Sequence, residues 1–179
     1  MTRRKMMLMI AGATVLGLAA LVGFADNSAI FADEDDEGQE ALTKLIDSAK
    51  VNLQQGLATS EQQGQPISAK FEVEDGKLQL SGYTAKDGKF SEVLINYVTG
   101  EVLKSEPITE GEDLAAANAQ SAAMANAKTP LKDTVDKASA RSANARVVSV
   151  VPSLKDGQPV ASIVLFDGGQ FRSVQQPLD

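Results

Sequence analysis

The sequence repeats itself at a distance of 81 residues. Residues 67–97 align without a gap with residues 148–178, and seven of these 31 positions are identical. Ordinary amino-acid usage gives about two identities over such a length. The identical pairs fall on turn glycines and on residues of predicted strands: Ser68–Ser149, Asp75–Asp156, Gly76–Gly157, Ser81–Ser162, Gly88–Gly169, Phe90–Phe171 and Val93–Val174. This pattern predicts one small structural unit that is used twice.

The first 25 residues have the order of a secretory signal peptide. Arg3, Arg4 and Lys5 form a basic head, and Met6 to Ala25 is apolar and uncharged. This order predicts export to a periplasmic or extracellular location. The apolar stretch of about 20 residues is also long enough to cross a bilayer if it is not cleaved. A membrane anchor at residues 1–25 is therefore the alternative to a cleaved signal.

Composition excludes several classes of chemistry. The chain has no cysteine, histidine or tryptophan. Disulfides, thiol nucleophiles, imidazole bases and histidine-ligated zinc are therefore excluded. Removing residues 1–25 takes away three of the 17 basic residues and none of the 24 acidic ones, which leaves a net charge of −10. Such a charge disfavours nucleic acid and favours basic partners or cations.

Residues 26–38 are predicted to form an acidic linker. They contain five consecutive acidic residues, Asp33 to Glu37. Calcium could bind such a run, but the spaced ligands and turn glycine of an EF-hand loop are missing. A solvated segment is the simpler interpretation.

Hydrophobic periodicity predicts a helix followed by a four-stranded meander in the first unit. Apolar residues from Leu42 to Leu57 recur at helical spacing. Alternating strands then follow, separated by turns at Asp75-Gly76 and at Lys86 to Lys89. A fourth strand is predicted at Val102 to Ser105, after the turn at Val98 to Glu101.

The second unit follows a predicted linker at Pro107 to Asp113. Leu114 to Ala127 is alanine-rich and predicts a helix without a counterpart in the first unit. Thr129 is the expected N-cap of the next helix, with Pro130 at its first position. Three strands are then predicted at residues 147–154, 160–166 and 171–178.

The turn motifs resemble the PepSY domain family. The first unit has Asp-Gly-Lys at residues 75–77 and 87–89 and closes on Thr-Gly-Glu-Val-Leu at 99–103. The second has Lys-Asp-Gly-Gln-Pro-Val at residues 155–160 and Phe-Arg-Ser-Val at 171–174. An aspartate commonly precedes the closing turn in this family, whereas Asn96 is the nearest polar residue here. The resemblance implies a cystatin-like fold in exported proteins that restrain peptidases or bind envelope partners and are not enzymes.

Together these features predict an α+β protein of two cystatin-like repeats, each a helix packed on a three- to four-stranded antiparallel sheet. The repeats are placed at residues 39–109 and 113–179. The predicted function is an exported, noncatalytic protein-binding module that modulates or inhibits a peptidase or binds another cell-envelope partner. No cofactor, metal site or catalytic residue is predicted. The alternative is an acidic periplasmic protein that binds a cation or small ligand.

Two strand segments are candidate partner contacts because they are apolar on both faces. Mutual packing of the two units would explain the same pattern. Composition leaves catalysis by paired carboxylates or by a serine-lysine nucleophile open, and neither has a recognisable arrangement in the sequence. The candidate contact residues are Val93, Leu94, Ile95, Tyr97, Val148 and Val150.

Overall fold

Seven strands and four helices make up residues 36–142 and 144–179, which are the residues that the computed structural model describes. The predicted signal peptide and residues 26–35 of the predicted linker lie outside this range. The fold is α+β. The helices are α1 (Asp36–Leu45), α2 (Leu53–Ser60), α3 (Gly111–Asn126) and α4 (Leu131–Ala140). The strands are β1 (Gln65–Glu74), β2 (Lys77–Lys86), β3 (Lys89–Ile95), β4 (Val102–Ile108), β5 (Arg146–Lys155), β6 (Gln158–Asp167) and β7 (Gln170–Pro177).

All seven strands belong to one antiparallel sheet in the order β4-β3-β2-β1-β5-β6-β7. The prediction of a separate sheet in each unit is therefore wrong, because β1 pairs with β5 and joins the two halves. This junction is short: Ala69 pairs with Val150, and Lys70 pairs with Ser149. The sequence predicted mutual packing between the third strand of the first unit and the first strand of the second unit, which contains Val148 and Val150. Strand β5 does form the junction, but its partner is β1 and not the third strand of the first unit.

Glycine-containing turns connect the hairpins, as predicted. Asp75 and Gly76 have φ values of 49° and 72°, and Asp156 and Gly157 have 52° and 78°. Positive φ at both central residues is the geometry of a type I′ turn, which matches the twist of the flanking strands. These turns confirm the strand boundaries expected around them.

The first predicted helix is interrupted. Helix α1 begins at Asp36, within the predicted linker, and a short 3-10 turn follows at Ile46–Ser48. The main-chain N–H groups of Lys50 and Val51 then both donate to the carbonyl of Tyr97, at 2.9 and 3.0 Å. The chain is extended there, and Asn52 restarts the helix with a capping box that it shares with Gln55.

Helices α2 and α4 pack side by side, and Gln54 donates to the Ser139 hydroxyl at 2.8 Å. Helix α2 approaches the sheet closely at Gly82, where a Cβ atom would lie 2.6 Å from the Ser60 Cβ. Helix α3 lies on the opposite face. Ala69 pairs with Gly82, and its neighbour Ser68 points to the other face of the sheet. There the Ser68 hydroxyl donates to Gln120 of α3 at 2.7 Å. The sheet is thus a central layer between helices.

Element ends differ from the predicted ones in the middle of the chain. Strand β4 continues to Ile108 and α3 begins at Gly111, so the predicted linker at Pro107 to Asp113 is largely structured. Pro130, not Thr129, is the N-cap of α4, because the Thr129 hydroxyl donates to the Asp179 carbonyl instead. Within the described ranges, no helix has the length and apolar character needed to cross a membrane.

Candidate interaction site

The structure buries four of the six predicted contact residues. Val93 and Val150 have no exposed surface, and Ile95 and Val148 are 1% and 2% exposed. Their assignment to a partner contact is therefore wrong. Val93 pairs with Gly82 on the face that α2 covers, so its apolar character serves the core of this chain.

The other two predicted residues, Leu94 and Tyr97, are half-buried. Leu94 lies opposite Ser81 and Lys104 in the neighbouring strands. The Tyr97 carbonyl accepts the two hydrogen bonds that position the chain before α2. The structure therefore does not bring the six residues together into one exposed surface.

A cluster of polar side chains occupies the sheet face beside α3. The Lys70 ammonium lies 2.7 Å from the Glu72 carboxylate, and both side chains are largely buried, at 16% and 14% exposed. The Ser81 hydroxyl donates to Glu72 at 3.0 Å, and the Tyr83 hydroxyl donates to Glu92 at 3.4 Å. We call these five residues the polar cluster. No local pattern in the sequence indicates this cluster, because alternate acidic residues in a strand usually lie on a solvated face and the position of α3 is not a local property of the sequence.

Burial changes the acidities of two members of the polar cluster. Burial raises the pKa of the Glu92 carboxyl, and the negative charge of Glu72 raises it further. Burial also raises the pKa of Tyr83 well above its ordinary value, with added repulsion from Glu72, Glu92 and Asp113. Tyr83 therefore stays neutral at physiological pH and acts as a hydrogen-bond donor.

The cavity next to the polar cluster is small. It lies between β1 and α3, with Lys70, Tyr83 and Gln120 in its lining, and has a volume of about 40 Å³. A water molecule occupies about 30 Å³ of liquid, whereas small-molecule pockets are usually about 300 Å³ or larger. The cavity has room for water and not for an organic substrate.

A wider groove of about 250 Å³ separates the end of α2 from the connection between α3 and α4. Its lining includes Glu61, Met124, Lys128 and Lys132. Lys132 is already paired with Asp136 at 2.9 Å. Among the described side chains, at residues 38–142 and 144–179, no three acidic groups lie together as a metal site would require.

The two edges of the sheet are β4 and β7, and no described strand pairs with the outer side of either. Strand β4 carries a register irregularity opposite Leu94 and Ile95, and Pro107 near its end. Bulges, lysine residues and proline residues commonly prevent an edge strand from pairing with another chain. Strand β7 pairs with β6 without any irregularity from Gln170 to Pro177.

Strand β7 leaves apolar side chains partly uncovered. Phe171 and Val174 are half-buried, although their partners at the 81-residue shift, Phe90 and Val93, are only 8% and 0% exposed. Strand β4 pairs with β3 beside Phe90 and Val93, and no described strand does so for β7. Both pairs are among the seven identities in the sequence, so the alignment contained this signal. The difference between the pairs lies in the strands that flank them, which the aligned residues alone do not show.

Comparisons of the chain with family models, with curated proteins and with solved structures find no match.

Proposed function

We propose that this chain is an exported, noncatalytic binding module that takes up an extended segment of a protein partner at the outer edge of β7. The partner is a peptidase, whose activity the module modulates, or another protein of the cell envelope. The module consists of two PepSY-like, cystatin-like units fused through β1 and β5. Export places it in the periplasm or outside the cell.

Matching element boundaries support the two-unit arrangement. Strands β1 and β2 span residues 65–74 and 77–86, and β5 and β6 span residues 146–155 and 158–167, at a constant shift of 81. The helices correspond at a shift of 78. The buried residues of α2 and α4 then match in order: Leu53–Leu131, Gly56–Thr134, Leu57–Val135 and Ser60–Ala138.

A pair of main-chain hydrogen bonds supports the same correspondence. In the first half the Tyr97 carbonyl accepts from residues 50 and 51, and in the second half the Leu178 carbonyl accepts from Lys128 and Thr129 at 2.7 and 2.9 Å. The acceptors are 81 residues apart and the donors are 78 apart. The difference of three residues falls between helix and first strand, where insertions cost little.

The observation that carries the binding proposal is the open, regular edge of β7. Unpaired main-chain groups along such an edge can pair with an extended segment, and side-chain contacts on either face add specificity. The half-buried Phe171 and Val174 provide apolar surface that an added strand would cover. Edge and apolar surface therefore coincide on one strand.

The noncatalytic part of the proposal rests on the polar cluster. Its charged and hydroxyl groups are paired with each other, and the neighbouring cavity of about 40 Å³ is too small for an organic substrate. Internally satisfied polar groups beneath a helix fix the position of that helix. A role in docking α3 accounts for the cluster without a reaction.

Affinity capture with two substitutions at one position tests the proposal. The immobilised chain is presented to an envelope extract as wild type, Ser173→Pro and Ser173→Ala. Both substitutions remove the 3.4 Å contact between the Ser162 and Ser173 hydroxyls, and only proline removes the main-chain N–H. Captured proteins are then purified and assayed for direct binding and, if they are peptidases, for inhibition.

We expect wild type and Ser173→Ala to bind the same purified partner and Ser173→Pro to lose it. Proline is tolerated on an edge strand where the N–H faces outward, so the variant should fold. Equal binding of that partner by all three proteins would reject the β7 edge as the binding site.

A further inference from the structure

We infer that β7 binds an extended segment of a partner protein that resembles β4 of this chain. The segment pairs antiparallel to β7, in the register that β4 adopts on β3. This inference rests on the proposed binding role of the β7 edge and adds the direction, register and side-chain pattern of the bound segment. The 81-residue correspondence between β3 and β7 provides the template.

The main-chain groups of β7 face outward at the positions that the template requires. The Leu178 N–H donates to the Pro159 carbonyl of the strand pair β6–β7 at 2.9 Å. Residues of an antiparallel strand alternate between the two neighbouring strands, so Phe171, Ser173 and Gln175 direct their N–H and C=O groups away from β6. These three residues offer six main-chain groups to an added strand.

The same alternation holds in β3, where the equivalent residues direct their main-chain groups toward β4. The Asn96 N–H donates to the Glu101 carbonyl at 2.8 Å, so the even-numbered residues of β3 face β4. Phe90 pairs with Ile108, Glu92 with Glu106, and Leu94 with Lys104. Adding 81 to the β3 residues gives Phe171, Ser173 and Gln175.

The template also sets the side chains of the bound segment. Ile108 lies opposite Phe90, which predicts an apolar residue opposite Phe171. Ser105 lies opposite Val93, which predicts a small residue opposite Val174. Pro177 corresponds to Asn96 and has no N–H, so the paired region ends at Gln175.

Strand β4 of a folded second copy does not fit this site. The groups of β4 that pair with β3 are already used, and its outer side includes Pro107, which has no N–H to donate. The chain also has a net charge of −7, so copies repel each other. The expected donor is therefore an extended, neutral or basic segment of a different protein.

A synthetic peptide of residues 102–108 with blocked ends tests the inference directly. Its one lysine and one glutamate give it no net charge. Binding to the full chain is measured by fluorescence anisotropy, and the contact residues are identified from amide chemical shifts. N-methylation at the position of Glu106 removes the N–H that faces Ser173, and N-methylation at Ser105 is the matched control, because that N–H points away.

We expect the peptide to shift the amides of Phe171, Ser173 and Gln175. Affinity should fall about tenfold with N-methyl-Glu106 or with Ser173→Pro, since each removes a main-chain hydrogen bond. The N-methyl-Ser105 peptide and the Ser173→Ala protein should bind within about twofold of the parent pair.

Three results would overturn the inference: no binding of the peptide, equal loss with both methylated peptides, or shifts confined to β4, which would mean exchange of this strand. Self-association of the chain through β7, detected by sedimentation, would also contradict it. These failures can be distinguished from failure of the proposed function. If the peptide test fails but Ser173→Pro still loses the captured partner, then β7 is the binding site for a segment unlike β4.

Discussion

Ala69 pairs directly with Val150 at the junction of β1 and β5, and the two residues are separated by the same 81 positions that relate the two halves of the sequence. Each residue therefore lies opposite its own equivalent. The arrangement places β4 and β7 at opposite ends of one continuous sheet.

Close contact between α2 and the sheet predicts that Gly82→Ala is destabilising. The added methyl group would lie 2.6 Å from the Ser60 Cβ, and neither atom can rotate away. We expect a loss of about 1–3 kcal/mol in the free energy of unfolding, measured by urea denaturation. Gly56→Ala is the control, because the nearest atom is the flexible end of Leu80 at 3.0 Å and alanine favours the helix. An equal loss in both variants would contradict this explanation.

The capping box of α2 predicts the effect of Asn52→Ala. The Asn52 side chain accepts from the Gln55 N–H at 2.8 Å, and the Gln55 side chain accepts from the Asn52 N–H at 2.9 Å. Alanine removes the first bond and should cost about 1 kcal/mol of stability. Thermal unfolding measures the change. Asn52→Asp is the matched control, because aspartate keeps a side-chain oxygen that accepts from the Gln55 N–H and should retain the stability of the wild type.

The hydrogen bond between Ser68 and Gln120 predicts energetic coupling between β1 and α3. Both residues are buried, at 3% and 9% exposed, and the bond is 2.7 Å long. A double-mutant cycle of Ser68→Ala and Gln120→Ala should give a coupling energy of about 0.5–1.5 kcal/mol. Additive losses in urea denaturation would mean that α3 docks without this bond.

Glu92 predicts a specific dependence of stability on pH. Its pKa in the folded protein is raised above the ordinary 4.5 by burial, so the folded state holds its proton more tightly than the unfolded state. Stability therefore falls as pH rises from the ordinary pKa through the raised one. Glu92→Gln removes this loss and should be more stable than wild type at pH 7, with the gain shrinking as pH falls toward 4. A gain that does not change with pH would contradict the assignment.

Local sequence patterns predicted much of the secondary structure. The turns at Asp75-Gly76 and Asp156-Gly157 were predicted correctly, because glycine and aspartate adopt positive φ more readily than most residues. The break between α1 and α2 was missed, because it depends on the Tyr97 carbonyl, which lies 46 positions after Val51 in the sequence. The β1–β5 junction also has no local signal, since pairing between distant strands is set by the whole sheet.

The candidate site was harder to predict than the strands. Val93 and Val150 were predicted as contact residues because their strands are apolar on both faces, and the sequence does not show that both side chains lie on the sheet face that α2 covers. Phe171 and Val174 were not recognised for a different reason. They are partly exposed because no described strand pairs with the outer side of β7, whereas β4 pairs with β3 beside Phe90 and Val93.

Hydrogen exchange of the β7 amides, with and without a purified partner, tests the proposed binding edge most directly. In the free chain we expect Phe171, Ser173 and Gln175 to exchange rapidly, while Arg172, Val174 and Gln176 are protected by pairing with β6. Addition of the partner should slow the first three amides and leave the alternate ones unchanged. Protection of all six amides in the free chain, or slowing confined to other strands, would contradict the account.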